Sequence, residues 1–188
     1  MGILIKLPEI LQTEFDDQWG ELCRALESAG LNAADIDGIR SDALRVLPCS
    51  RFVHRTCMKD PYVLVDLLSS GDLQRQRENE SLRRGLEQRL AGVDREEALS
   101  RALRRFRQRE MVRIAWRDLS GRADLDETMG DLSALADTVL DAALTFLYRR
   151  QCEKMGVPES RDGRPQQLVV VAMGKLGARE LNFSSDID

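Results

Sequence analysis

From Pro8 to about Gln151, apolar residues return every three or four positions, and no other feature restricts the fold as much. That spacing puts side chains on one side of a 3.6-residue helix, so the chain must hide successive helical stripes against one another. Ile10, Leu11, Phe15, Trp19, Leu22 and Leu26 make the first stripe; Pro8 and Glu9 suit its start and Gly30 its stop. A second helix is predicted from Ala34 to Leu47, ending before Pro48. A third runs from the natural N-cap Ser50 to about Lys59, and a short one from Pro61 to Leu68, closed by Ser69, Ser70 and Gly71. Leu73 to Leu90 is polar and rich in both charge signs, which fits an exposed or partly ordered helix. Asp94 with Glu97 three residues on has the capping-box arrangement and opens a long helix that ends near Leu119. Its apolar side is Ala98, Leu99, Ala102, Leu103 and Phe106. The last long helix, Asp126 to about Cys152, has the cleanest stripe: Leu132, Leu135, Ala136, Val139, Leu140, Ala143, Leu144 and Leu147, the core-facing side of a bundle member.

Composition agrees with this reading. Of 188 residues, 43% are hydrophobic and 32% charged, within the globular range, while 5% aromatic content and 5 prolines favour helices. The length holds one ordinary domain, or one and part of another. A net charge of −4 speaks against a chain that coats nucleic acid by bulk attraction. Cys23, Cys49, Cys57 and Cys152 form no C-x-x-C pair, and His54 has no ligand-spaced partner, so buried or half-buried free thiols in a reducing cytoplasm and a helix-surface or packing histidine are expected. Met1 to Leu7 is too short for a signal sequence, and no apolar run approaches membrane length; the expected location is cytoplasmic.

Within the long helix, Arg101, Arg105, Arg109, Arg113 and Arg117 recur every four residues, with Arg104 and Arg107 beside them. Such a stripe is either an anion-binding surface or a solvated or salt-bridged face; Glu96, Glu97, Glu110 and Asp118 nearby favour the second. Trp19 and Trp116 are expected as core anchors.

At about residue 165 the character changes. Gly156 to Gln167 reads as an exposed loop, and Leu168-Val169-Val170-Val171-Ala172-Met173 as a buried strand. Gly174-Lys175-Leu176-Gly177 opens a turn and a short helix through about Leu181, and Ser184 to Asp188 looks like the opening of a second strand. The expected fold is therefore mainly α: a helical domain over residues 1–165, then the incomplete start of an α/β domain over 166–188. Two strands and a turn cannot bury a core, so the second part should be poorly stable alone. On a strand, Asp186 and Asp188 point the same way with a rise of about 6.6 Å between them. Carboxylates so placed can hold divalent cations about 3.5–4 Å apart, as in phosphoryl-transfer sites. The Gly174-Lys175 turn can offer backbone N–H groups and a point charge to a phosphate. Each part alone is commonplace; an anion cradle and metal ligands on adjacent elements make one coherent phosphate site.

The run from Val171 to Asp188, V-A-M-G-K-L-G-A-R-E-L-N-F-S-S-D-I-D, closely resembles the signature of the glutamine synthetase adenylyltransferase/adenylyl-removing enzymes. The likeness extends upstream to Arg45–Val53, Asp60–Leu73 and the Arg-rich Leu103–Leu119, most of the chain after about residue 40. The resemblance implies a nucleotidyltransferase (polymerase-β-like) catalytic domain, here cut within its active-site motif. That family has two such halves, one removing AMP from a tyrosine of glutamine synthetase by phosphorolysis and one attaching AMP from ATP. The second-half motif reads closer to G-Y-G-K-L-G and S-D-L-D, so Ala172-Met173-Gly174 and Asn182-Phe183-Ser184-Ser185 point to the first, adenylyl-removing half. On this resemblance Asp186 and Asp188 are catalytic and hold Mg²⁺, while Gly174, Lys175 and Ser185 hold phosphate oxygens of nucleotide (ATP or ADP) or inorganic phosphate. A further carboxylate is expected on a later strand, so the chain by itself is expected to be inactive. Implied partners are glutamine synthetase and, through other parts of the enzyme, a PII-type signal protein. Two other readings stay open: a helical interaction module without catalysis, and a nucleotidyltransferase acting on nucleic acid through the arginine helix.

Overall fold

A computed structural model describes residues 8–185, the side chain of Ile10 excepted. The described residues are mainly helical, as expected, and include no β-strand; one isolated antiparallel bridge joins Glu159 and Pro165. The elements are α1 (Glu9–Ser28), a 3₁₀ helix (Ala33–Ile39), α2 (Arg40–Val46), α3 (Arg51–Lys59), α4 (Tyr62–Ser69), α5 (Asn79–Leu90), α6 (Glu96–Leu119), α7 (Leu125–Met155) and the single turn α8 (Gly174–Gly177). Residue contacts divide the chain into two compact units, 1–76 with 108–125, and 77–107 with 126–188.

In the first unit α1 packs on α3, α2 and the 3₁₀ helix, and α3 on α4. Phe15, Trp19, Leu22 and Leu26 of α1 are buried there with Val53, Cys57, Leu64 and Leu67, and the second half of α6 adds Val112, Ala115 and Trp116. Both tryptophans are thus core residues. Glycine stops end the helices as their spacing predicts. Gly30, Gly71 and Gly121 all have positive φ, and in each case the next amide reaches back to Leu26, Leu67 or Arg117 to satisfy a terminal carbonyl. Ser50 caps α3 through its Oγ, which accepts from the Val53 N–H.

The predicted helix from Ala34 to Leu47 is instead two pieces. Asn32 caps the Ala34 amide, Gly38 weakens α-helical continuation, and a 3₁₀ helix results. In that helix residues three apart share a side, so Ile36 and Ile39 are both buried. The polar stretch after Leu73 is helical only from Asn79, and it is not wholly exposed, since Leu82 and Leu86 are buried.

The arginine stripe divides in two. Arg109, Arg113 and Arg117 are buried, whereas Arg101, Arg104, Arg105 and Arg107 are exposed. Arg109 donates to Asp66 (2.5 Å), Asp72 (2.8 Å), Ser70 Oγ (3.0 Å) and Glu110 (2.6 Å), and Arg113 donates to the other oxygen of Glu110 at 2.7 Å. Arg117 donates to the carbonyls of Leu73 and Arg122. For Arg109 and Arg113 the salt-bridged reading holds, and Arg117 is held by backbone carbonyls. Burial opposes the charge of Arg109, but the carboxylates of Glu110, Asp66 and Asp72 outweigh it and hold the guanidinium protonated beyond its ordinary range. The guanidinium also lies at the C-terminal end of α4, where it donates to the Ser70 hydroxyl and where the helix dipole favours a cation.

The four cysteines are free thiols; Cys57 is buried and Cys23 and Cys152 are half-buried as expected, whereas Cys49 is exposed. His54 lies on α3 with Nε2 3.3 Å from Glu21 Oε2, a packing position. Among the described residues no cluster of His, Cys, Asp and Glu could hold a metal ion, and no helix is long and apolar enough to cross a membrane.

In the second unit Leu82 and Leu86 of α5, Leu99 and Phe106 of α6, and Leu132, Leu135 and Phe146 of α7 are buried, and the Arg89 guanidinium lies 5.6 Å from the Phe106 ring centre. α6 begins at Glu96, where the Arg95 carbonyl accepts from the Leu99 amide, one residue later than a cap at Asp94 would place it. The α7 stripe is buried only in its first half; Leu147 is 40% exposed.

Three outcomes are expected. Glu110→Ala strips both Arg109 and Arg113 of a shared buried carboxylate and should cost about 3–5 kcal/mol in urea unfolding, against less than ~0.5 kcal/mol for the exposed Glu87→Ala. Burial, with Asp60 adding to it, pushes the Cys57 thiol from 9.0 up to about 12. Between those values an unfolded chain releases a proton that the folded chain keeps, so this contribution to stability is intact below pH 9.0 and is lost as pH rises toward about 12. Unfolding compared with Cys57→Ala across that window should expose this slope. At about pH 8 a thiol reagent should label the exposed Cys49 and spare Cys57 until unfolding.

Candidate functional site

The candidate site is the stretch after α7. The Gly156–Gln167 loop is present, held by the Glu159–Pro165 bridge and by Tyr148, whose hydroxyl donates to the Gln166 carbonyl. Leu168 to Met173 is not the buried strand its valines predict. It is extended without strand pairing, and Leu168, Val169, Val170, Val171 and Met173 are all more than half exposed. Three valines set a local preference, but a strand also needs a neighbour for its N–H and C=O groups, and none of the described residues supplies one. Between this segment and α7 lies a cavity of about 370 Å³, bounded by Leu168, Val170 and Ala172 on one side and Leu140 and Leu144 on the other.

Gly174 to Gly177 then forms one helical turn, shorter than the predicted helix to Leu181. Its hydrogen bonds start with the Gly177 amide on the Met173 carbonyl, so the Gly174, Lys175 and Leu176 amides stand outside the turn's own ladder. The turn ends in a Schellman arrangement: the Glu180 amide bonds the Lys175 carbonyl and the Arg179 amide the Leu176 carbonyl. Arg179 takes the left-handed conformation there (φ 60°), a place where glycine is usual. The two glycines answer to different constraints. Gly174 has φ +58° with open space around it, whereas a Cβ on Gly177 would lie 2.6 Å from the Ala172 carbonyl oxygen. Lys175 is exposed, with its side chain available to solvent.

Leu181 moors the stretch. It is buried, and its amide donates to Ser133 Oγ on α7 at 3.4 Å. Ser133 in turn donates to the Met129 carbonyl. Neither residue stood out in the sequence, because a mooring contact across 48 positions leaves no local pattern. Beyond it, Asn182 and Ser185 close a tight turn. Asn182 Oδ1 accepts from the Ser184 amide and the Ser185 hydroxyl, and Ser185 Oγ accepts from the Asn182 amide. Ser184 therefore lies in a turn, not at a strand opening, and the Ser185 hydroxyl, a predicted phosphate contact, is engaged within that turn. Gly174, Lys175 and Ser185 are thus carried on one short segment that leads directly to the two acidic positions. Asp186 and Asp188, the predicted catalytic and metal-binding residues, lie outside the described residues, as does the rest of the expected second strand.

Comparison with known proteins covers this segment together with most of the chain. The family model for glutamate-ammonia ligase adenylyltransferase matches residues 41–188. The chain belongs to that family. It is 44% identical over 184 residues to the bifunctional glutamine synthetase adenylyltransferase/adenylyl-removing enzyme of Nitrosococcus oceani, covering 97% of this chain and 19% of that protein. The enzymes of the same description from Pseudomonas aeruginosa and Hahella chejuensis are 49% and 39% identical, over 78% and 96% of this chain and 15% and 18% of theirs. The chain thus spans less than a fifth of the length of these relatives.

Gly177→Ala must displace backbone, whereas Gly174→Ala only strains φ at a cost of about 1 kcal/mol. We expect the Ala178 and Glu180 amides to lose hydrogen-exchange protection in Gly177→Ala well before they do so in Gly174→Ala. Leu181→Ala should free the whole stretch from Gly174 onward while amides in the first half of α7 keep their protection.

Proposed function

We propose that this chain is part of the adenylyl-removing half of a glutamine synthetase adenylyltransferase, and that residues 166–188 begin its nucleotidyltransferase (polymerase-β-like) catalytic domain. The observation that carries the reading is the joined pair of turns: Gly174-Lys175, with amides that have no hydrogen-bond partner among the described residues and with an exposed ammonium, then Asn182–Ser185 leading into Asp186-Ile187-Asp188. The exposed, unpaired Leu168–Met173 segment supports it too, since an extended apolar run without a neighbour suits the edge of a sheet to be completed by further strands.

In this reading Lys175 and the turn amides hold phosphate oxygens, and Asp186 and Asp188 supply the hard oxygen ligands that suit Mg²⁺. Bound there, Mg²⁺ would neutralise charge on the phosphoryl oxygens. The substrate is the phosphodiester between AMP and a tyrosine of glutamine synthetase. An oxygen of inorganic phosphate attacks the α-phosphorus in line, the bond to the tyrosine oxygen breaks, and ADP and the free tyrosine result. The phenolate leaves readily because its conjugate acid has a pKa of about 10. Ser185 acts by shaping the turn before Asp186, and its hydroxyl reaches phosphate only if that turn opens. The activity belongs to the longer enzyme, with a further carboxylate from a later strand and with glutamine synthetase and a PII-type protein as partners in the cytoplasm.

The test uses the longer enzyme carrying this segment. Phosphate-dependent release of ADP from adenylylated glutamine synthetase is expected with Mg²⁺. It should fall by at least about 10³-fold in Asp186→Asn or Asp188→Asn, and by about 10-fold or more in Lys175→Ala. Full phosphorolysis in both aspartate variants would refute the assignment.

A further inference from the structure

The first half of α6 has a property that the proposed function does not use. Arg101, Arg104, Arg105 and Arg107 are all exposed and take part in no ion pair or hydrogen bond among the described residues. Many guanidiniums elsewhere in the chain are engaged, as Arg109 and Arg113 are with Glu110, Arg122 with Asp42, Arg84 with Glu80 and Arg40 with Asp16. Arg101, Arg104 and Arg105 fall within about 100° of the helix circumference, opposite the buried Leu99 and Phe106. Like charges three and four apart each cost an isolated helix about 0.2–0.5 kcal/mol, and the arginines at 101/104, 101/105 and 104/107 are such pairs. Glu97, one turn earlier and also exposed, makes no pair with Arg101. The sequence therefore keeps mutually repelling guanidiniums on a helix face where carboxylates would stabilise it.

We propose that this face is a docking surface for an acidic segment of another polypeptide. Carboxylates match guanidinium forks in bidentate fashion, and several unpaired forks in two helical turns present a ready array for them. A nucleic-acid partner fits less well: the patch offers no exposed aromatic ring for stacking, Phe106 being buried, and the chain's net charge is −4. A lipid surface fits less well again, because the apolar side of this helix is already covered. The assignment is independent of the adenylyl-removing reading and stands or falls apart from it.

The test titrates the 188-residue chain with a short fluorescent Asp/Glu-rich peptide, with a DNA duplex and with phosphatidylserine-containing vesicles. Peptide binding is expected at about 50 mM salt and should weaken strongly by about 300 mM. The variant R101E/R104E/R105E should lose at least about tenfold in peptide affinity with an unchanged helical circular-dichroism spectrum. R101K/R104K/R105K, which keeps the charge and loses the fork, should lose less. R101Q/R104Q/R105Q gives the same reading should charge reversal disturb the helix. No peptide binding by the parent chain, binding by the charge-reversed and glutamine variants as tight as the parent's, or tighter binding of DNA or vesicles than of peptide would each overturn the proposal.

Discussion

The first unit depends on one carboxylate, Glu110, fully buried on α6 between Arg109 and Arg113. Two cations and one anion in a low-dielectric interior hold only if every charge is answered, and Asp66 and Asp72 supply the remaining answer through Arg109. The same guanidinium donates to Ser70 Oγ at the end of α4, which adds a neutral acceptor to its charged ones. Arg117 extends the attachment by donating to the Leu73 carbonyl. The C-terminal half of α6 is thereby tied to the end of α4 by directional bonds, while Val112, Ala115 and Trp116 bury apolar surface beside them. Hydrophobic burial supplies the driving force, and the ionic contacts select which face of α6 turns inward.

A different economy governs the C-terminal stretch. It has almost no core of its own: Leu181 is buried against α7, whereas the valines before it are exposed. Its conformation is set by local hydrogen bonding, the Schellman closure after α8 and the Asn182–Ser185 turn, together with one mooring bond to Ser133. Such geometry presents a lysine and a set of amides on a short, well-defined segment with little apolar burial. That backbone suits the phosphate-holding role proposed for it, and the chain belongs to the adenylyltransferase family.

Much of this was legible in the sequence. Five of the helices, α1, α3, α4, α6 and α7, follow from three- and four-residue spacing with Ser50, Gly30, Gly71 and Gly121 as punctuation, because caps and stops act within one turn of chain. The motif around Gly174 and Lys175 was visible for the same reason, as a run of neighbouring residues. The helix predicted over Ala34–Leu47 misread a segment in which Asn32 and Gly38 favour a tighter winding. The strand at Leu168–Met173 failed because β-propensity expresses itself only against a partner strand.

What the sequence determined by itself was local: helical periodicity, the helix ends, the turn glycines and the order in which lysine, serine and aspartates follow one another. Only tertiary structure decided which arginines of a single four-residue repeat became internal. Arg101 and Arg113 look alike in sequence, yet the first meets water and the second meets Glu110. Desolvating a guanidinium is unfavourable unless a carboxylate waits in the right place, and that place is set by the packing of α6 rather than by the residues beside the arginine.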